Sequence, residues 1–113
     1  MITKALLSQV LGLEIVDFVP TYIYGGIHLR YHEKHNKPDM EINIHELAYK
    51  CKQWAKTHTL VSSYWYENGE EGAWCCLHKD LCTTEGITFT ATTEPEAIFA
   101  ACEWILNNKG EQC

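Results

Sequence analysis

One segment near the end of the chain dictates its own local structure. Thr93-Glu94-Pro95-Glu96, followed by residues 97–106 (Ala-Ile-Phe-Ala-Ala-Cys-Glu-Trp-Ile-Leu), reads as a helix with its start signal attached. The Thr93 hydroxyl can accept from the N–H of Glu96, and the Glu96 carboxylate can reach back, which is the capping-box pattern. Pro95 falls in the first turn, where a missing N–H costs nothing. Ile98, Ala101, Cys102 and Ile105 recur at helical spacing and give the helix one apolar face. Asn107, Asn108 and Gly110 supply the stop. The segment shows how the chain ends its fold and carries no chemistry.

A second helix is written from Asn43. Asn43 and Glu46 form a capping-box-like pair, and Ile44, Leu47, Ala48, Cys51, Trp54 and Ala55 make its apolar stripe. Lys50, Lys52 and Lys56 fall late in it, where positive charge suits the dipole. A shorter helix over residues 2–11 presents Leu6, Leu7, Val10 and Leu11 and stops at Gly12.

Between the helices the pattern changes to that of strands. Leu13–Val19 reads as one strand, with Pro20 breaking or bending it. Tyr22–Tyr24 and Ile27–Glu33 read as a hairpin turning on Gly25-Gly26, with Tyr22 opposite Leu29 and Tyr24 opposite Ile27. Lys34–Glu41 reads as a polar connection. Leu60–Tyr66 and Ala73–His78 flank Asn68-Gly69, the strongest short turn signal in the chain. Ile87–Ala91 alternates as a half-buried strand.

The predicted fold is therefore α+β in the order α-β-β-β-α-β-β-β-α, a mainly antiparallel sheet packed by two longer helices. At 113 residues the chain is expected to form one domain. Residues 1–41 would supply the N-terminal helix and hairpin, and residues 42–110 a helix–three-strand–helix unit.

Composition narrows the function classes. The chain is 46% hydrophobic, enough for a core that needs no metal or disulfide staple. Nine Lys plus Arg stand against fifteen Asp plus Glu, for a net charge of −6. That balance opposes direct nucleic-acid binding, which uses clustered positive charge. A helix–three-strand–helix order also occurs in double-stranded-RNA-binding domains. Here, however, the Glu67-Asn68-Gly69-Glu70-Glu71 turn is acidic where a duplex binder needs donors. No apolar run is long enough to cross a membrane. Residues 1–12 read as a folded helix rather than a signal peptide. Six cysteines without a secretory signal imply reduced thiols and a cytoplasmic location. Cys51 and Cys102 fall on apolar helix stripes, where a free thiol acts as a small hydrophobe.

The strings I-N-I-H-E-L-A-Y-K-C-K-Q-W-A (42–55) and T-E-P-E-A-I-F-A-A-C-E-W-I-L (93–106) resemble small bacteriophage and prophage proteins of uncharacterised role. Those proteins carry a helix–three-strand–helix unit with a similar final helix. The resemblance covers about 65 residues from Ile42 onward and implies a mobile-element origin in a bacterial host. It implies no activity and assigns no catalytic residue. The role that follows is binding to a host or phage protein, in its sharpest form as an anti-CRISPR-like inhibitor of a host defence or metabolic enzyme.

Three groups of residues are candidates for function. The acidic tip Glu67, Glu70 and Glu71 lies beside Tyr64, Trp65 and Tyr66. Three consecutive aromatics cannot all be buried by a one-sided sheet, and exposed Tyr and Trp anchor interfaces. His28, Arg30 and His32 should share one strand face with Thr21 and Ile23. That row could grip an acidic surface, and its charge would rise as histidine titrates. The plainer account is the solvated face of an antiparallel sheet.

The third group is Cys75, Cys76, His78 and Cys82. Cys76 and His78 share a strand face with Cys82 after a short turn, a set that could contribute to a zinc site. A closed structural site needs four ligands and no second pair follows, so the plainer account is an ordinary strand. A metal-binding regulator and a small enzyme with a Cys/His site are the alternatives to binding alone. No cofactor is expected, because Gly25-Gly26 is a turn and not a phosphate-cradling loop.

Overall fold

The structure, a computed structural model, describes residues 2–23, 26–35, 38–55, 58–79 and 86–108. The elements run α1 (Lys4–Leu11), β1 (Ile15–Ile23), β2 (Gly26–Glu33), β3 (Met40–Asn43), α2 (Ile44–Trp54), β4 (His58–Glu67), β5 (Glu70–Lys79), β6 (Gly86–Ala91) and α3 (Glu94–Asn107). The α+β class and the element order are those read from the sequence.

The strands divide into two antiparallel sheets, β1-β2-β3 and β4-β5-β6. α1 packs on β1, and α2 on β2 and β3. α3 packs on all three strands of the second sheet and on both other helices. The molecule measures 46 × 41 × 16 Å. A thickness of 16 Å leaves room for one helix layer over one sheet layer, which pack about 10 Å apart.

The helix caps form as the side chains allow. Thr3 accepts from the N–H of Leu6, and Gly12 ends α1 in the left-handed region at φ 67°. Asn43 caps α2 by accepting from His45 at 2.8 Å. Thr93 caps α3 by accepting from Glu96 at 3.4 Å. The expected return half of that box is replaced, because the Glu96 carboxylate accepts from the Thr92 hydroxyl at 3.4 Å. Asn108 closes α3, its amide donating to the Trp104 carbonyl at 2.8 Å. Gly110 lies outside the described residues.

α3 is more deeply seated than a single stripe requires. Ala97, Ile98, Phe99, Ala101 and Cys102 are all buried. A helix apolar on more than one side must be covered on more than one side, and α2 and the second sheet do this. Cys51 on α2 points at the same junction, where the Cys102 thiol donates to the Cys51 carbonyl at 3.6 Å. The next residue of α3, Glu103, accepts from both the N–H and the hydroxyl of Thr3, at 2.7 and 2.8 Å. That pair ties the two ends of the chain together.

Three details of the first sheet correct the sequence reading. Pro20 does not break the strand; it pairs with Leu29 inside β1. β1 is an edge strand, and with Ile23 and Gly26 closing the hairpin the alternation turns the Pro20 nitrogen outward, where no ladder bond is lost. The β1–β2 register differs from that of a turn centred on Gly25-Gly26, and the expected partner of Ile27, Tyr24, lies outside the described residues with Gly25. Tyr22 pairs with Ile27 rather than Leu29. The difference moves each partner by two, so every side chain keeps its face. Finally, Met40–Asn43 is a strand and not part of a polar connection. It pairs with β2 and delivers the chain into α2.

Candidate functional site

β4 and β5 form a ten-by-ten hairpin in unbroken register from His58↔Lys79 to Glu67↔Glu70. Asn68 at φ 54° and Gly69 at φ 81° make the turn. Positive φ at both central residues is the type I′ geometry that Asn-Gly favours, and its twist matches the strands. The tip is therefore held by its own backbone chemistry.

Register then distributes the aromatics. Tyr64 and Tyr66 share the face that α3 covers further along, but they lie beyond the helix and are 74% and 70% exposed. Trp65 is on the opposite face and is 42% exposed. All three candidate anchors are thus available at the surface. Trp65 has a specific seat: it stands opposite Gly72, and a β-carbon there would come within 2.7 Å of the indole. The glycine lets the ring lie against β5.

Glu67, Glu70 and Glu71 are exposed at the tip. Glu67 and Glu70 stand directly opposite each other. Like charges so placed destabilise a strand pair. Among the described residues no cation pairs with them, since the ion pairs found are Arg30–Glu41, His32–Asp39 and Lys34–Glu14.

The His28, Arg30 and His32 row lies on one face of β2; the corrected register sets Thr21 opposite His28, where the turn on Gly25-Gly26 would have set Thr21 opposite Arg30 and Ile23 opposite His28. Its charge is already engaged. Arg30 donates to Glu41 at 3.0 Å from the neighbouring β3, and His32 contacts Asp39 at 3.2 Å. His28 Nδ1 is buried without a hydrogen-bond partner. The acidic partners come from β3 and the residue before it, a region the sequence reading left as connection. The row therefore presents compensated pairs rather than a free cationic strip.

The third group is brought together in part. Cys76 Sγ and His78 Nε2 are 3.3 Å apart on the outer face of β5. Thr88 on β6 adds a hydroxyl donor to Cys76 at 3.6 Å. Sequence reading missed Thr88; the signal lay in the β5–β6 register, which places it opposite Cys76. Gly86 makes the space, since a β-carbon there would come within 2.6 Å of Cys76 Sγ. Cys82 lies outside the described residues. Among the described residues no three His, Cys, Asp or Glu side chains converge as a metal site. Both residues lie in β5, which is paired on both sides, so among the described residues the neighbouring N–H groups are committed to the ladder and not free as acyl-transfer chemistry needs.

Cys75 points the other way, into the core. Burial, followed by the nearby Cys102, pushes its thiol up to about 11. Cys51 is pushed well above the usual thiol range, first by its hydrogen bond with Cys102 and then by burial. Cys51, Cys75, Cys76 and Cys102 are all free thiols. The buried three are inert packing groups at neutral pH.

A cavity of about 200 Å³ lies between α2 and the start of α3, lined by His45, Tyr49, Lys52, Glu94 and Ile98 among others. It is small, and its lining includes one carboxylate and one ammonium. No described helix is long and apolar enough to cross a membrane. Compared with protein-family models, curated proteins and solved structures, the chain matches none of them.

Proposed function

We propose that this chain acts by binding another protein, without catalysis, through the far end of the β4–β5 hairpin. One observation carries the reading: Glu67 and Glu70 face each other unneutralised on a rigid turn, beside Tyr64 and Tyr66 at 74% and 70% exposure. A fold gains nothing from opposed carboxylates or from bare tyrosines. A partner with basic groups around an apolar pocket would gain from both. The partner class is a protein with a basic groove, and the phage resemblance suggests a host enzyme whose groove the tip would occupy as an inhibitor.

The test is retention of a specific protein from bacterial lysate by immobilised chain. Replacing Glu67, Glu70 and Glu71 with Lys should slow that binding and remove its salt dependence, with the melting temperature nearly unchanged. Normal retention by this triple variant, together with loss on changing His28 and Arg30 to Ala, would move the working surface to the first sheet. The 3.3 Å contact between Cys76 and His78 favours a second reading, a metal-binding regulator. It requires that purified protein carry stoichiometric metal and that a chelator lower its melting temperature.

A further inference from the structure

Four strands form the sheet edges; two of them are defended against pairing, and a third, β6, offers only six residues. β1 exposes Val16, Val19 and Tyr22. It also carries Pro20 and a bulge between Ile15 and Asp17, and Lys4 Nζ donates to its Val16 carbonyl at 3.5 Å. β3 is four residues long and β6 six. Short strands, proline, bulges and edge lysines are the usual means of blocking edge-to-edge association. β4 has none of them. It is ten residues, His-Thr-Leu-Val-Ser-Ser-Tyr-Trp-Tyr-Glu, with no proline, no lysine and no register shift against β5.

The direction of its backbone groups follows from the turn. Glu67 and Glu70 close a two-residue hairpin, so Val61, Ser63, Trp65 and Glu67 exchange their bonds with β5. Leu60, Ser62, Tyr64 and Tyr66 then direct N–H and C=O to the open edge. Among the described residues, the side-chain contact found there is the Ser63 hydroxyl, which donates to the Tyr64 carbonyl at 3.3 Å.

We infer that β4 is a self-pairing edge, which joins two copies of this chain antiparallel about a two-fold axis at Ser63. An axis normal to the sheet keeps faces matched, so only residues of like parity meet. In this register Val61 stands opposite the partner copy's Trp65 on the outer face. Leu60 and Ser62 stand opposite the partner copy's Tyr66 and Tyr64 on the inner face. Aromatic against aliphatic or β-branched is a favoured cross-strand combination. Leu60 already packs against the core, so the otherwise exposed Tyr66 would extend the partner copy's core. The product is a continuous six-stranded sheet, β6-β5-β4-β4-β5-β6. This pairing needs no foreign partner, and it covers Tyr64 and Tyr66, so the paired form and the binding role proposed above compete for the same two rings.

Sedimentation equilibrium of the purified chain at micromolar concentrations tests it. The expected result is a reversible species of twice the 13.0 kDa chain mass. Tyr64→Pro removes an edge N–H without touching the β4–β5 ladder and should weaken association about tenfold or more. Tyr64→Lys, which keeps the backbone donor, guards against a folding failure of the proline variant and should also give monomer. Ser63→Cys should form a 63-to-63 disulfide, identified by peptide mass. A wild-type chain that stays monomeric, or a dimer that survives Tyr64→Lys with the fold intact, overturns the inference.

Discussion

The two sheets contain the same number of strands and treat their surfaces in opposite ways. In and beside β1-β2-β3 opposite charges are paired: Arg30 meets Glu41, His32 meets Asp39, and Lys34 meets Glu14. Its long edge is interrupted by Pro20 and a bulge. In β4-β5-β6 the carboxylates Glu67 and Glu70 oppose each other, and the long edge is uninterrupted. Both sheets rest on the same helix layer, so the difference does not come from the core. It lies in what each sheet offers outward. Both expose rings, Tyr22 on the first as much as Tyr64 and Tyr66 on the second, so the contrast among the described residues is one of carboxylates left opposed and of a long edge left open.

The strongest way to break this comparison is to ask whether the two sheets fold as separate bodies. Phe99 on α3 is buried at the junction of the helix layer with the second sheet. Phe99→Ala should cost about 3–5 kcal/mol. Because α3 also packs on α1 and α2, amide protection should fall in both sheets together when followed by hydrogen exchange. Loss confined to β4–β6 would mean that the sheets are independent units and that their contrast says little about one protein.

A smaller effect concerns titratable groups buried under each sheet. Cys75 under the second sheet holds its proton up to about 11, against the usual 9.0. The raised value means that the folded state binds the proton more tightly than the unfolded one. Stability should thus be intact below pH 9 and fall as pH rises through 11. Tyr31 under the first sheet is raised too, by burial and then by Glu46, from its usual 10.0. Urea midpoints measured across this range should fall less steeply for Cys75→Ala than for wild type. An unchanged slope would place the alkaline loss elsewhere.

The smallest effect has the clearest sign. Neutralising Glu41 removes an exposed ion pair and should lower stability by about 0.2–1 kcal/mol. Neutralising Glu70 relieves an opposed pair and should raise it by about 0.2–1 kcal/mol. Matched denaturation curves of Glu41→Gln and Glu70→Gln should move in opposite directions. Movement in the same direction would erase the electrostatic half of the contrast.

What could be read from sequence followed how local the cause was. The caps at Thr93 and Asn43, the stop at Gly12 and the Asn68-Gly69 turn act within four residues, and each formed where the pattern placed it. Pro20 was misjudged because its tolerance depends on β1 being an edge, a fact of topology. Met40–Asn43 hid as a strand because four residues give little alternation and owe their conformation to pairing with β2. At the site, the acidic tip and the three aromatics were legible as residues, while their exposure depended on where α3 ends. The cancellation of Arg30 and His32 was not legible. Their partners, Glu41 and Asp39, face them only once β3 is laid beside β2.

Three thiols meet beneath the second sheet from three different elements: Cys51 from α2, Cys75 from β5 and Cys102 from α3. The molecule therefore carries a clock for its own opening. A small alkylating reagent cannot reach any of them while the layers are closed, so modification at neutral pH counts excursions rather than contacts. Where reclosing outruns alkylation, the rate reports how often the open form is populated; where alkylation wins, it reports the opening rate itself. Peptide mapping would resolve the three sites in one sample. Equal rates would describe a plate that parts along its whole seam, and a faster Cys51 a helix that lifts first.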